Sequence, residues 1–402
     1  MHPTLAGRAE SPLQARLLGL LRDDGPISRV GLADRLSVSR TTVAVEVARL
    51  AEQKLVQDAG PAESRGGRRS TLVELSPDIR LVGISIGATG LAVGVTDGRL
   101  TVLATRSVPC DIRQGPEPVL AVALTEAERL LAEVGVDRAI GAGVGVPGPV
   151  DFHRGVSVSP PIMPGWDGYP VRDAVSDRLG CPVVLDNDVN VLALGEQHAG
   201  VARTTKDFLF VKIGTGIGCG IVVDGELYRG VDGCAGDIGH IQVDDSGPTC
   251  ACGNVGCLEA FAGGAALARD ATAAARSGRS PVLAELLEKS GELTAADIAV
   301  AVSRGDAQAV QLIRDCGHRV GQVLSSLVSF FNPGLVVVGG RVTGLGPALL
   351  AEMRGVTYRR SLPLATGNLP IVMSELGDQA GVIGAARLIS SEIYAPARSG
   401  RR

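Results

Sequence analysis

Apolar residues recur at helical spacing three times in the first fifty-odd positions, and then the period changes. Leu13, Leu17, Leu20 and Leu21 follow Pro12, a residue suited to a first helical turn, and Asp24-Gly25-Pro26 breaks the pattern. Ser28 is placed to N-cap a second helix from Arg29 to Leu36, and Ser39 a third from Arg40 to Gln53. Val43, Val47 and Leu50 form one stripe of that third helix. Leu55-Val56 and Leu72-Val73-Glu74-Leu75 read as short strands flanking Arg65-Gly66-Gly67-Arg68-Arg69. Beyond Pro77, glycines punctuate runs of strand-forming residues. Ile86-Gly87-Ala88-Thr89 leads to Val95-Thr96-Asp97-Gly98, and 127 residues later Ile213-Gly214-Thr215-Gly216 leads to Val222-Val223-Asp224-Gly225. Each copy predicts strand, glycine turn, strand and an Asp-Gly hairpin, which implies either two similar lobes or two ordinary hairpins. Segments Ala262 to Ala275 and Asp315 to Phe330 predict helices that could supply a dimer face.

Three short helices and a hairpin are the plan of a winged helix-turn-helix, expected over residues 10–76. Ser39, Arg40, Thr41 and Thr42 fall on the first turn of its third helix, the turn that enters the major groove in such domains. Thr42 and Arg49 are donors with no evident core role, and Arg65, Arg68 and Arg69 offer cations to phosphates or a narrow minor groove. The same pattern also suits a small protein-interaction domain with a solvated arginine loop. The expected partner is operator DNA. One winged helix reads one half-site, so a homodimer or higher homo-oligomer on a roughly palindromic operator is expected.

A length of 402 residues predicts two or three domains, and a 45% hydrophobic content excludes wholesale disorder. The net charge of −4 argues against a general basic coat. Divided after residue 76, the chain carries 11 basic and 9 acidic residues, then 28 and 34. DNA affinity would therefore rest on placed arginines and dimerisation rather than bulk charge. No basic segment leads into an apolar run at the start, and no run of about 18 apolar residues occurs, so a cytoplasmic protein without a membrane partner is expected.

Eight cysteines are too few for a disulfide scaffold. Three lie together, at Cys250, Cys252 and Cys257, downstream of Gly239-His240. Three thiolates and an imidazole complete a tetrahedral set with no open position, which predicts structural Zn2+. The alternative is a group of buried or redox-active cysteines. Cys110, Cys181, Cys219, Cys234 and Cys316 are expected as small core residues.

With Gly253, Gly256 and Glu259, this constellation resembles the signature of the ROK family, which groups bacterial repressors with sugar kinases. The resemblance continues at Gly145-Val146-Pro147-Gly148-Pro149-Val150-Asp151, Pro164-Gly165-Trp166, Asn187-Asp188-Val189-Asn190, Asn332-Pro333 with Gly339-Gly340, and Gly381-Val382-Ile383-Gly384-Ala385-Ala386. It implies an α/β protein, a winged helix-turn-helix followed by a two-lobed actin-like ATPase fold. The first lobe would span 80–195, with a helix near 380–395 returning to it, and the second 196–379 with the zinc.

The resemblance assigns a sugar or sugar-derivative effector to Asn187, Asp188, Asp237, His240 and Glu259, His240 serving zinc and sugar through its two nitrogens. Asp237 stands where the family has Glu. Catalytic members carry Asp-x-Gly-Gly-Thr-Lys in the first glycine turn, whereas this chain has Ser85, Ala88 and Gly90 in place of the Asp, second Gly and Lys. Phosphoryl transfer depends on positioning and charge neutralisation, so no kinase activity is expected and Asp188 is a vestigial base. The reading is a sugar-responsive repressor of carbohydrate genes. An active sugar kinase with a DNA-binding appendage, or a regulator answering a protein partner, remain alternatives.

Overall fold

The computed structural model describes residues 8–61 and 71–396, which divide into two compact units. The first comprises residues up to His198 and from Asp378 onward; the second is Ala199–Gly377. Segments 10–76 and 80–195 thus share one unit.

The chain opens with α1 (Pro12–Asp24), β1 (Ile27–Ser28), α2 (Arg29–Leu36), α3 (Arg40–Glu52), β2 (Val56–Pro61) and β3 (Thr71–Leu75). Ser28 and Ser39 are both N-caps, their hydroxyls accepting from Gly31 N–H and Thr42 N–H at 3.0 Å each. Val43, Val47 and Leu50 of α3 are buried as the stripe predicts. Strand β1 was not expected; two residues are too short for a pattern, and Ile27 and Ser28 pair antiparallel with Val73 and Leu72. Arg65, Arg68 and Arg69 lie outside the described residues.

Next come β4 (Leu81–Gly87), β5 (Gly90–Thr96), β6 (Val102–Pro109), α4 (Pro116–Glu133), β7 (Gly141–Val146), the hairpin β8 (Val150–Asp151) and β9 (Val156–Ser157), α5 (Val171–Leu179), β10 (Val183–Asn187) and α6 (Asp188–Ala199). The sheet order is β10-β7-β4-β5-β6, with β4, β5 and β6 antiparallel and β4, β7 and β10 parallel.

The second unit repeats this plan. It runs through β11 (Phe208–Ile213), β12 (Ile217–Val223), β13 (Glu226–Leu227), α7 (Leu258–Ala262), α8 (Gly264–Arg276), α9 (Pro281–Ser290), α10 (Ala295–Ser303), α11 (Ala307–Phe331), β14 (Leu335–Gly339), α12 (Pro347–Arg360), α13 (Pro363–Thr366) and β15 (Ile371–Met373). Its sheet order, β13-β12-β11-β14-β15, matches the first strand for strand and direction for direction. The two glycine turns fall at equivalent places, between the first and second strands of each sheet. The internal repeat is therefore structural, and the protein is a mixed α/β protein with two similar lobes.

The C-terminal helix (Gln379–Ile393) returns to the first unit and lies against it with almost no space. A Cβ added at Gly83, Gly143 or Gly195 would overlap the backbone oxygen of Val382, Ala385 or Ala380, and one at Gly384 would overlap that of Val191. Strands β4 and β7 and helix α6 thus meet this helix backbone to backbone. Its far end enters another core, where Ile383, Ala386, Ile389, Ile393 and Tyr394 pack with Leu17, Leu18, Leu21, Leu32 and Leu50.

Polar contacts fix the same junction. Ala9 N–H donates to the Ile393 carbonyl at 3.2 Å, and buried Arg22 pairs with Asp23 at 2.7 Å and donates to Ser390 Oγ at 3.4 Å. The Tyr394 hydroxyl donates to Gly98 O at 3.1 Å. His198, near the end of α6, lies 3.7 Å from Asp23 of α1, and its other ring nitrogen 3.2 Å from Arg99 O. Burial, with the Arg22 charge adding, pulls His198 down to about 4, so the ring is neutral at neutral pH.

Gly143→Ala must force strand and helix apart and is expected to cost about 3 kcal/mol. Gly19→Ala, in α1 with open space around its Cβ, should be neutral or stabilise by up to about 1 kcal/mol. Thermal unfolding of the two variants checks this, and similar melting temperatures would contradict the close-packed interface.

Candidate functional site

Helix α3 presents one face to solvent: Arg40, Thr41, Thr42, Ala44, Val45, Ala48 and Arg49 are all exposed. Ser37 adopts a left-handed conformation (φ 57°) that ends α2 and starts the turn into α3. The expected DNA-contacting residues Ser39, Arg40, Thr41, Thr42 and Arg49 therefore share a surface. Their chemistry differs from the simple expectation, because the Ser39 and Thr42 hydroxyls bond each other at 2.7 Å and Arg49 pairs with Glu46 at 3.1 Å.

In the second unit, His240, Cys250, Cys252 and Cys257 come together, their ligand atoms all within 4.8 Å of one another. Cys250 Sγ is 3.5 Å from His240 Nδ1, and Cys252 and Cys257 Sγ are 3.8 Å apart. A short knuckle builds the cluster. Cys250 N–H donates to Asn254 O at 2.7 Å, Val243 N–H donates to Gly256 O at 2.8 Å, and isolated bridges join Gln242 to Cys257 and Thr249 to Val255. Gly256 has φ 76° and its Cα faces the Asp244 carbonyl, where a side chain would overlap. Four soft or borderline donors at this spacing can hold one metal ion. Sequence reading missed Arg319 of α11, whose guanidinium lies 3.7 Å above the Phe261 ring and 3.8 Å from Asp244, tying the knuckle to a long helix. No local pattern announces that pair.

Two carboxylates flank the imidazole. Asp237 Oδ1 is 3.8 Å from His240 Nε2, and Glu259 Oε1 is 3.8 Å from His240 Nδ1. Glu259 also accepts from Ile217 N–H at 3.3 Å, so its carboxylate rests on the second glycine turn. Asp237, His240 and Glu259, three of the five residues assigned to sugar, form one cluster. The other two, Asn187 and Asp188, lie in the first unit where β10 ends and α6 begins. Asn187 donates to Gly148 O at 2.7 Å and accepts from Val189 N–H at 2.8 Å, which ties the turn after β7 to the start of α6. This positioning role was not foreseen.

The glycine turns differ. In the first, Ser85 Oγ faces Gly381 of the C-terminal helix and Ala88 packs on the core of its lobe. In the second, Gly214 O and Thr215 O accept from Gly264 N–H at 2.6 Å and Ala265 N–H at 3.3 Å. The first amides of α8 thereby hold the turn.

Comparison with known proteins follows the same division. The family model described as ROK family matches residues 81–392. The chain is 30% identical over 384 residues to a protein named putative xylose repressor from Caldicellulosiruptor sp. (strain Rt8B.4), covering 94% of this chain and 95% of that one. It is also 30% identical over 319 residues to a glucokinase of Thermotoga maritima, covering 79% of this chain and 99% of that one. Among solved structures it is similar to a ROK family transcriptional regulator described as a homolog of the E. coli MLC protein. The TM-score is 0.80 with 26% identity, over 95% of this chain and 96% of that one. A ROK hexokinase from Thermus thermophilus matches with TM-score 0.63 and 36% identity, over 77% of this chain and 97% of that one.

The purified chain is expected to carry about one divalent ion per polypeptide, by the donor count of the cluster. Cys252→Ser should lower that stoichiometry and the melting temperature together. Elemental analysis with thermal unfolding reads both, and an unchanged metal content would refute the assignment.

Proposed function

The chain belongs to the ROK family, and we propose that within it this protein is a sugar-responsive, DNA-binding transcriptional regulator, a repressor of carbohydrate genes. The observation that carries the reading is the extent of the repressor match. It spans the reader as well as the sensor, 94% of the chain, whereas the glucokinase match spans 79%. The altered first turn supports it. Ser85, Ala88 and Gly90 supply neither the carboxylate nor the cation that a phosphoryl-transfer site needs.

In this reading His240, Cys250, Cys252 and Cys257 hold Zn2+, which supplies a rigid structural support and no catalysis, the four protein donors completing its shell. Asn187, Asp188, Asp237, His240 and Glu259 recognise the hydroxyls of a sugar or sugar derivative, and Ser39 to Thr42, Arg49 and the arginines at 65, 68 and 69 contact operator DNA. Helix α6 offers a route between the two functions. It begins at Asp188, and its His198 reaches Asp23 of α1. Effector occupancy that shifts α6 would shift the reader with it. The protein acts as a cytoplasmic homodimer on a roughly palindromic operator. Phe330 at the end of α11 and Leu364 in α13, 82% and 98% exposed, support a further apolar contact between copies.

Mobility-shift titration of the full chain against DNA fragments flanking its own gene, with a panel of pentoses and hexoses, tests the proposal. A retarded fragment whose affinity changes at least tenfold with one sugar is expected. The kinase reading is tested on the same preparation with radiolabelled ATP. Turnover at the about 1–100 s⁻¹ typical of kinases, lost in Asp188→Asn, would overturn the non-enzymatic part.

A further inference from the structure

Val45 is a branched aliphatic side chain in the middle of α3, 46% exposed. With Val43, Val47 and Leu50 turned inward, the 3.6-residue repeat puts Thr41, Val45 and Ala48 on the outermost line of the helix. Hydrogen-bonding groups beside this line are already engaged. Ser39 and Thr42 bond each other, Arg49 pairs with Glu46, and Glu46 also accepts from Gln14 at 2.8 Å. Arg40, exposed at the start of the strip, is a cation suited to a backbone phosphate beside the groove.

Reading G or A by hydrogen bonding calls for Arg, Lys, Asn or Gln at the outward positions, and 41, 44, 45 and 48 hold Thr, Ala, Val and Ala. What an aliphatic ridge can distinguish in the major groove is the thymine 5-methyl group. Resting on the DNA-reading function above, we propose that Val45 is a specificity-determining residue that recognises thymine by its methyl, with Thr41 and Ala48 extending the apolar strip.

The full chain is used to select sequences from a random duplex pool, and the selected duplex is remade with deoxyuridine at each thymidine, which removes only methyl groups. Thymine is expected at one or more fixed positions, where deoxyuridine weakens binding about fourfold per contacted methyl. Val45→Ala should bring the thymidine-to-deoxyuridine ratio at one such position close to one, whereas Arg40→Ala should weaken both duplexes alike. Equal affinity of the wild-type chain for the two duplexes overturns the proposal, as does a deoxyuridine penalty that survives Val45→Ala at every position. A change of oligomeric state in Val45→Ala with unchanged duplex discrimination would assign the strip to a protein contact instead. A chain that enriches no sequence would refute DNA reading itself, a distinct failure visible at the first step.

Discussion

The backbone-to-backbone contact between the C-terminal helix and the first sheet is the constraint on which the rest depends. Strand residues Gly83 and Gly143 and helix residues Gly195 and Gly384 leave no room for a side chain, so β4, β7 and α6 touch that helix directly. Close-packed surfaces of this kind slide or rotate as bodies and do not deform gradually. The same helix donates Ile389, Ile393 and Tyr394 to the core of the winged helix. The N-terminal helices thus belong to the first compact unit and share a core with the helix that packs on its sheet.

Much of this architecture is legible in the sequence. The serine caps, the inward stripe of α3, the repeated glycine turn and the His-Cys cluster are local signals with short-range physical causes, and each of those elements forms where its signal lies. The expected helix at 262–275 is interrupted: α7 ends at Ala262, Gly263 is extended, and α8 begins at Gly264 because the second glycine turn takes its first amides. The interlock itself is not legible. Gly141 and Gly143 of β7 read only as gaps in an apolar strand until a helix more than two hundred residues later is seen to fill them. The positioning role of Asn187 and the Arg319–Phe261 contact were hidden for the same reason, since both depend on partners distant in sequence.

The site residues fall into two classes. Asp237 and Glu259 flank His240, itself a member of the His-Cys cluster, and Glu259 also accepts from Ile217 N–H beside the second glycine turn. The first glycine turn is held by backbone too, Ala88 O and Thr89 O accepting from Ile112 N–H at 3.1 Å and Cys110 N–H at 3.4 Å. There Ser85 and Ala88 pack against the C-terminal helix and the core instead of presenting charge.

If effector and operator are linked through this shared scaffold, each must alter the binding of the other by the same factor. The most direct measurement is calorimetric titration of the responsive sugar into the chain alone and into the chain saturated with operator DNA. The two sugar affinities should differ by the factor by which that sugar changes operator affinity. Equal sugar affinity in the two states would contradict the account.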